Sequence, residues 1–213
     1  MKVYFISGLG ADERVFQFLD LPGIEKIYIK WIDPQDQESL ASYAKRLITQ
    51  IELTEDVILL GISFGGIIAQ EIAKIIPCKK VLIVSSIKSA QEFSWQLSLV
   101  SSSRIYKLFP AKILKWSNLL TADYYFSTTS KEESQLLHQI IKETDNRFML
   151  WAIDRLMTWK NANPQKNIIH IHGTSDRIFP ISPIKSDIKI QGGGHFMMVN
   201  KSTELSKIIM ENI

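Results

Sequence analysis

A chain of 213 residues, 46% hydrophobic and 22% charged, is long enough to bury one large core, and its net charge of +3 is too small and too evenly spread to make a nucleic-acid surface. Its single cysteine, Cys78, excludes an internal disulfide and reads as a small buried or half-buried thiol. No run reaches the roughly 18 apolar residues of a membrane span, and the start, MKVYFISGLGADE, fits a first strand and turn better than a signal peptide, so one cytoplasmic domain is expected.

Val3 to Ile6 is a short apolar run ended by Ser7, Gly8, Leu9 and Gly10, the pattern of a strand buried on both faces followed by a glycine-permitted loop. Ile27 to Ile32 predicts a second strand. Ser39 to Leu53 predicts a helix, with Leu40, Tyr43, Ala44, Leu47, Ile48 and Ile51 on one stripe. A third strand, Val57 to Leu60, stops at Gly61, and an apolar helical pattern (Ile67, Ile68, Glu71, Ile72, Ile75) starts after Gly66. Between them G-x-S-x-G stands as Gly61, Ile62, Ser63, Phe64 and Gly65. With a strand before and a helix after, this is the nucleophile-elbow signature, a sharp turn that leaves the serine oxygen exposed at the top of a sheet. Such a turn holds its serine in a strained backbone region, and Gly61 and Gly65 remove the side chains that would collide.

Lys80 to Ser86 predicts a fourth strand. The alternation then breaks for about 80 residues, far more than the dozen or so that a simple crossover needs. Signals within the break are helical: Ser130 with Glu133 is a capping box, and Phe148, Trp151, Ala152, Leu156 and Trp159 form a stripe. An insertion at the carboxyl ends of the strands lies over the ligand crevice of such sheets. A helical lid over about residues 89–145 is therefore expected, on a core of about residues 1–88 and 146–213. Its Phe93, Trp95, Tyr106, Phe109 and Trp116 suggest an apolar pocket, although at helical spacing such residues more often simply pack against the sheet. From Phe93 through Ala122 there is no Asp or Glu, while Arg104, Lys107, Lys112 and Lys115 fall among apolar residues. That composition allows weak contact with an anionic surface or ligand, without stable membrane insertion. The alternative is a solvated basic face whose apolar side covers the site, with Pro110 dividing the stretch into two short helices.

Ile168 to His172 predicts the fifth strand, followed by HGTSDRIFP from His172 to Pro180. Ile188 to Gln191 predicts the sixth, ending in Gly192, Gly193, Gly194 and His195. Ser202 is expected to cap a last helix carrying Leu205, Ile208 and Ile209. Strands alternating with helices imply a doubly wound parallel sheet of six strands.

Serine needs a base within hydrogen-bond reach and a third group to orient that base. Of the four histidines, His138 lies in a helical region, and His170 and His172 sit in or at the end of a strand. An H-x-H pair could bind a metal, but no second cluster of ligands accompanies it, so no metal or cofactor is expected. His195 stands past the carboxyl end of the last strand behind three glycines. Asp176 follows the fifth strand at the same edge, whereas Asp154 falls inside a helical pattern and Asp187 lies at the wrong end of a strand. The order Ser63, Asp176, His195 is that of the α/β-hydrolase arrangement.

With SGLG, GISFGG, HGTSDRIFP and GGGH as matching stations, the chain resembles a compact serine α/β hydrolase of the esterase type over nearly its whole length. The resemblance implies an α/β-hydrolase fold with Ser63 as nucleophile, His195 as general base and acid, and Asp176 fixing the imidazole. It implies an oxyanion hole from the backbone N–H groups of Leu9 and Phe64. Two features depart from it: Ser7 stands where relatives commonly have histidine, and the chain opens at what resembles the third strand of the family fold. The implied activity is hydrolysis of an ester or thioester of a small acyl group through an acyl-enzyme. Two alternatives stay open, a ligand-binding protein with little turnover and another triad-dependent reaction such as carbon–carbon bond cleavage or perhydrolysis. Dehalogenase and epoxide hydrolase relatives place Asp at the elbow, and Ser63 argues against both.

Overall fold

The computed structural model describes residues 1–54 and 56–213. Six strands, β1 (Lys2–Ile6), β2 (Glu25–Ile29), β3 (Ile58–Ile62), β4 (Lys80–Val84), β5 (Ile168–Gly173) and β6 (Ile188–Ile190), pair in parallel in the order β2-β1-β3-β4-β5-β6. The inner strands β1, β3 and β4 are apolar on both faces because helices cover both. Successive side chains feed two cores. Leu59 and Ile83 pack with Tyr43, Leu47, Ile67 and Ile68 on one face, while Leu60 and Val84 pack with Phe5, Phe16, Leu205 and Ile209 on the other. Chain order reverses between β1 and β3, where Ile6 lies opposite Gly61. That reversal is the switch point at which doubly wound sheets bind ligands.

Helix α1 (Leu40–Leu47) is shorter than its apolar stripe predicts. It tightens into a 3-10 turn at Ile48–Gln50 before Ile51 returns to extended backbone at φ −109°. Strand β2 runs from Glu25 to Ile29 rather than from Ile27 to Ile32, because it pairs with β1 from Lys2↔Glu25 to Ile6↔Ile29 and its partner sets its length. Helix α2 (Phe64–Ala73) is buried at every residue but Ala73.

Four helices fill the connection between β4 and β5: α3 (Trp95–Ser103), α4 (Ala111–Phe126), α5 (Lys131–Glu143) and α6 (Asn146–Thr158). Pro110 precedes α4, which runs 16 residues, so the stretch is one long helix after a short one rather than two short ones. Ser130 caps α5 by accepting from the Glu133 amide at 3.2 Å, but the Glu133 carboxylate reaches back to the Thr129 amide, at 2.7 Å, one residue beyond the expected box. After β6 come α7 (Met197–Asn200) and α8 (Ser202–Asn212). Lys201, not Ser202, is the N-cap of α8. Ser202 lies inside the first turn, and its carbonyl accepts from Ser206 Oγ at 2.7 Å.

The elbow depends on close backbone approach. A Cβ on Gly65 would stand 2.2 Å from the carbonyl oxygens of Ile6 and Ser7, and one on Gly61 would stand 2.3 Å from that of Gly65. Glycine at these positions therefore lets β1, β3 and α2 close on one another. Gly65→Ala should cost roughly 3 kcal/mol or more, as overpacking against rigid backbone. Gly23→Ala, at φ +76° with no atom within 4 Å, should cost only about 1 kcal/mol of left-handed strain. Urea midpoints of the two variants at equal m-value check the difference, and similar losses would contradict it.

Candidate active site

Ser63 sits between β3 and α2 at φ 50°, ψ −120°, outside the regions that L-residues favour. Such a position costs about 1 to 3 kcal/mol and persists only where its surroundings over-determine it. Here they do. The Ser63 amide donates to Val84 O at 2.9 Å, its carbonyl accepts from the Gly66 amide at 3.0 Å, and Ser86 Oγ donates to the same carbonyl at 2.7 Å. Ser86 had no signal in the sequence beyond ending a strand.

The predicted partners converge on Ser63. His195 Nε2 lies 2.9 Å from Ser63 Oγ, and His195 Nδ1 lies 2.8 Å from Asp176 Oδ2. A carboxylate only accepts, so Nδ1 carries the proton, leaving the Nε2 lone pair to accept from the serine hydroxyl. Two loops bring the pair together. The Ser175 amide donates to Gly193 O at 2.9 Å, and a Cβ on Gly173 would stand 2.2 Å from that same oxygen. Asp176 is buried, and its Oδ1 accepts from the amides of Ile178 at 2.9 Å and Phe179 at 2.8 Å. Burial alone would raise this carboxyl, but the charge and hydrogen bond of His195 hold it below the usual carboxylate range. The rings of Phe126 and Phe179 flank the His195 imidazole, with centroids 5.2 and 5.6 Å away. Phe126 comes from α4, and no spacing in the sequence linked it to the site.

The loop after β1 completes the enclosure. Ser7, at the position that departs from the resemblance, is buried and donates through Oγ to Ala11 O at 2.6 Å, an oxygen that also accepts from Trp31 Nε1 at 2.9 Å. This holds the Gly8–Leu9–Gly10 turn against the elbow, where a Cβ on Gly8 would stand 3.6 Å from Ser63 Cβ. Leu9 and Phe64 both line a cavity of about 220 Å³ that contains Ser63 and His195. Its other walls are mostly apolar, from Phe126, Ile140, Met149 and Met198. Phe93, Trp95, Tyr106, Phe109 and Trp116, the aromatics expected to form the pocket, do not line it. Phe93 and Tyr106 are buried elsewhere and the other three are exposed.

The competing residues are structural. Asp154 accepts from Tyr106 at 2.9 Å and pairs with Lys107 at 2.7 Å, and Asp187 pairs with Lys88 and accepts from the His170 amide. His138 pairs with Asp123 at 3.0 Å. Among the described residues, no group of three His, Cys, Asp or Glu side chains is placed to hold a metal ion.

His170 and His172 form a buried chain behind Asp176. His172 Nε2 donates to Phe179 O at 2.8 Å, so its Nδ1 accepts from His170 Nε2 at 3.2 Å. Burial lowers both imidazoles, His170 to about 3. Both rings thus resist protonation in the fold, and His170 is neutral there at ordinary pH. The unfolded chain binds a proton at His170 below about pH 6.5 and the folded chain does not until about pH 3, so stability falls with acidification across that window, and the lowered His172 acts in the same direction. The slope is about 1.4 kcal/mol per pH unit for each ring that stays neutral. Urea midpoints across pH 7.5 to roughly 4 should decline, and His170→Leu should flatten the decline. A flat wild-type profile would show that the pair is not held neutral.

No protein-family model matches the chain, and no curated protein sequence matches it. Solved structures do. An esterase from Exiguobacterium antarcticum superposes with a TM-score of 0.73 at 15% identity, over 99% of this chain and 91% of that one. A putative non-heme bromoperoxidase from Mycobacterium tuberculosis gives 0.69 at 14% identity, over 99% and 91%. An epoxide hydrolase from Bacillus megaterium gives 0.73 at 9% identity, over 99% and 92%. At these identities the likeness speaks to architecture alone. With its six parallel strands, its strained turn from β3 into α2 and these superpositions over nearly its whole length, the chain has the α/β-hydrolase fold.

Proposed function

We propose that this protein is a serine hydrolase that cleaves a carboxylic ester or thioester of a small acyl group through an acyl-enzyme. The observation that carries the reading is the unbroken run from Ser63 Oγ to His195 Nε2 at 2.9 Å and from His195 Nδ1 to Asp176 at 2.8 Å, at the wall of an apolar cavity. In this reading Ser63 Oγ attacks the acyl carbon as its proton passes to His195. The buried Asp176 carboxylate stabilises the imidazolium that forms. The amides of Phe64, at the N-terminus of α2, and of Leu9 donate to the developing oxyanion, each worth roughly 3 to 4 kcal/mol in the transition state. His195 then protonates the leaving alcohol or thiol, and water repeats the sequence to release the acid.

The cavity of about 220 Å³ lies below the roughly 300 to 1,000 Å³ of drug-sized sites, which favours a short acyl chain. Helices α3 to α5, within residues 89–145, are in this reading a lid on a core of residues 1–88 and 146–213; α4 and α5 supply Phe126 and Ile140 to the cavity wall. The esterase neighbour is consistent with an ester substrate.

A fluorophosphonate probe should label one site per chain, and Ser63→Ala should abolish the labelling. Ser63→Ala and His195→Ala should each lower kcat by a factor on the order of a million with the fold intact, because the pair acts as one unit. Asp176→Asn should lose on the order of ten-thousandfold through a wrongly held imidazole. Across p-nitrophenyl esters, kcat/KM should be highest for short acyl groups. Comparable turnover by a folded Ser63→Ala protein would overturn the mechanism, and absence of both labelling and turnover in the wild type would favour a binding protein.

A further inference from the structure

Helix α4 is apolar on two opposite faces. One face, with Leu114, Ala122 and Phe126, looks toward the protein, and only Ala122 of the helix is buried. The opposite face carries Ile113, Trp116, Leu120 and Tyr124 at spacings of 3, 4 and 4 residues, hence within one arc of the helix, and all four are exposed. Leu108 and Phe109, just ahead of Pro110, are exposed as well. Exposure reaches 78% at Leu108, 63% at Trp116 and 65% at Leu120. A helix apolar all round is normally buried, and a patch of this kind on a monomer marks a contact surface. Of the apolar side chains expected to cover the active site, Ile113 and Trp116 therefore point away from it.

Charge narrows the partner. From Phe93 through Ala122 there is no Asp or Glu. Of the four cations there, Lys107 pairs with Asp154 and Lys115 donates to the carbonyls of Lys142 and Thr144. Arg104 and Lys112 are exposed and make no ion pair among the described residues. Asp123, the first acid after the stretch, is hydrogen-bonded to His138 and Thr128. A second copy of the chain docked on the same face would bring these cations together with no acid to meet them, since a two-fold contact uses the same patch twice. An anionic lipid surface meets all three features: indole and phenol rings at the interface, leucine and isoleucine at the acyl boundary, and basic side chains at the head groups.

We propose that the outward face from Ile105 to Tyr124 adsorbs to an anionic lipid surface, with α4 lying in the plane of the interface. Among the described residues no helix is long and apolar enough to cross a membrane, and the proposed contact is with the surface alone. The same helix touches the site: Phe126 O accepts from the Phe196 amide, next to His195, at 3.0 Å, and Tyr124 O accepts from Arg177, next to Asp176, at 2.7 Å. A surface-bound α4 would thus sit directly over the serine.

The test is co-sedimentation with vesicles of phosphatidylcholine alone and of phosphatidylcholine with phosphatidylglycerol. Wild type should bind the anionic vesicles at least tenfold more tightly than the neutral ones, and raising the salt from 0.1 to 1 M should weaken that binding. Arg104→Gln/Lys112→Gln should weaken it by roughly fivefold for each side chain. Trp116→Gln/Leu120→Gln should weaken it at least tenfold with an unchanged circular dichroism spectrum. Ser63→Ala should bind as wild type does, so failure of the hydrolase reading and failure of this one are separable. Three outcomes would overturn the proposal: no binding to anionic vesicles, equal binding by Trp116→Gln/Leu120→Gln, or a dimer in analytical ultracentrifugation that those substitutions disperse.

Discussion

The structure turns on one backbone conformation, the φ of 50° at Ser63. A residue held there needs neighbours that leave it no alternative, and each element around it contributes. Strand β4 accepts the Ser63 amide, Ser86 donates to the Ser63 carbonyl, and Gly61 and Gly65 let β1, β3 and α2 approach until backbone meets backbone. Helix α2, buried at every residue but Ala73, fixes the turn from below by packing its apolar side chains into the core. Strain at the serine is thus maintained by core burial some distance away.

The second half of the site is built by a different route. Asp176 and His195 stand on loops after β5 and β6, and those loops lock to each other through Gly193 O before either reaches Ser63. Behind them, His172 and Phe179 tie the Asp176 loop into the buried end of β5. The carboxylate is out of water and still ionised, because it accepts from two amides and faces the imidazole. A buried charge with both oxygens hydrogen-bonded is costly to displace, which keeps the imidazole oriented.

Between these halves lies a helical segment with two apolar faces. Its inner side supplies cavity wall and a ring against His195, and its outer side is exposed. A segment of this kind buries few of its own residues; it packs along α5 and α6, and three polar contacts add to that hold: Lys115 on the carbonyls of Lys142 and Thr144, Phe126 on the His195 loop and Arg177 on Tyr124. Local opening costs least where buried apolar contact is sparse.

The sequence by itself determined the six strands, their parallel pairing, the elbow at Ser63 and the three residues that meet there. These are legible because each rests on a local rule: apolar runs of strand length, glycine where backbone must pass close, and polar residues at the carboxyl ends of strands. Helix and strand limits were less legible. The length of β2 was set by β1 and the end of α1 by the return of the chain to the sheet, both tertiary demands. Of the cavity, Leu9, Ser63, Phe64 and His195 were legible, but the lid side chains that close it were not. Helical spacing shows that Trp116, Leu120, Ala122 and Phe126 share a helix, but which face turns inward depends on what α5, α6 and the His195 loop offer it. Only the packed chain turned Phe126 toward the imidazole and left Trp116 facing out, because the direction of burial belongs to the neighbours and not to the residue.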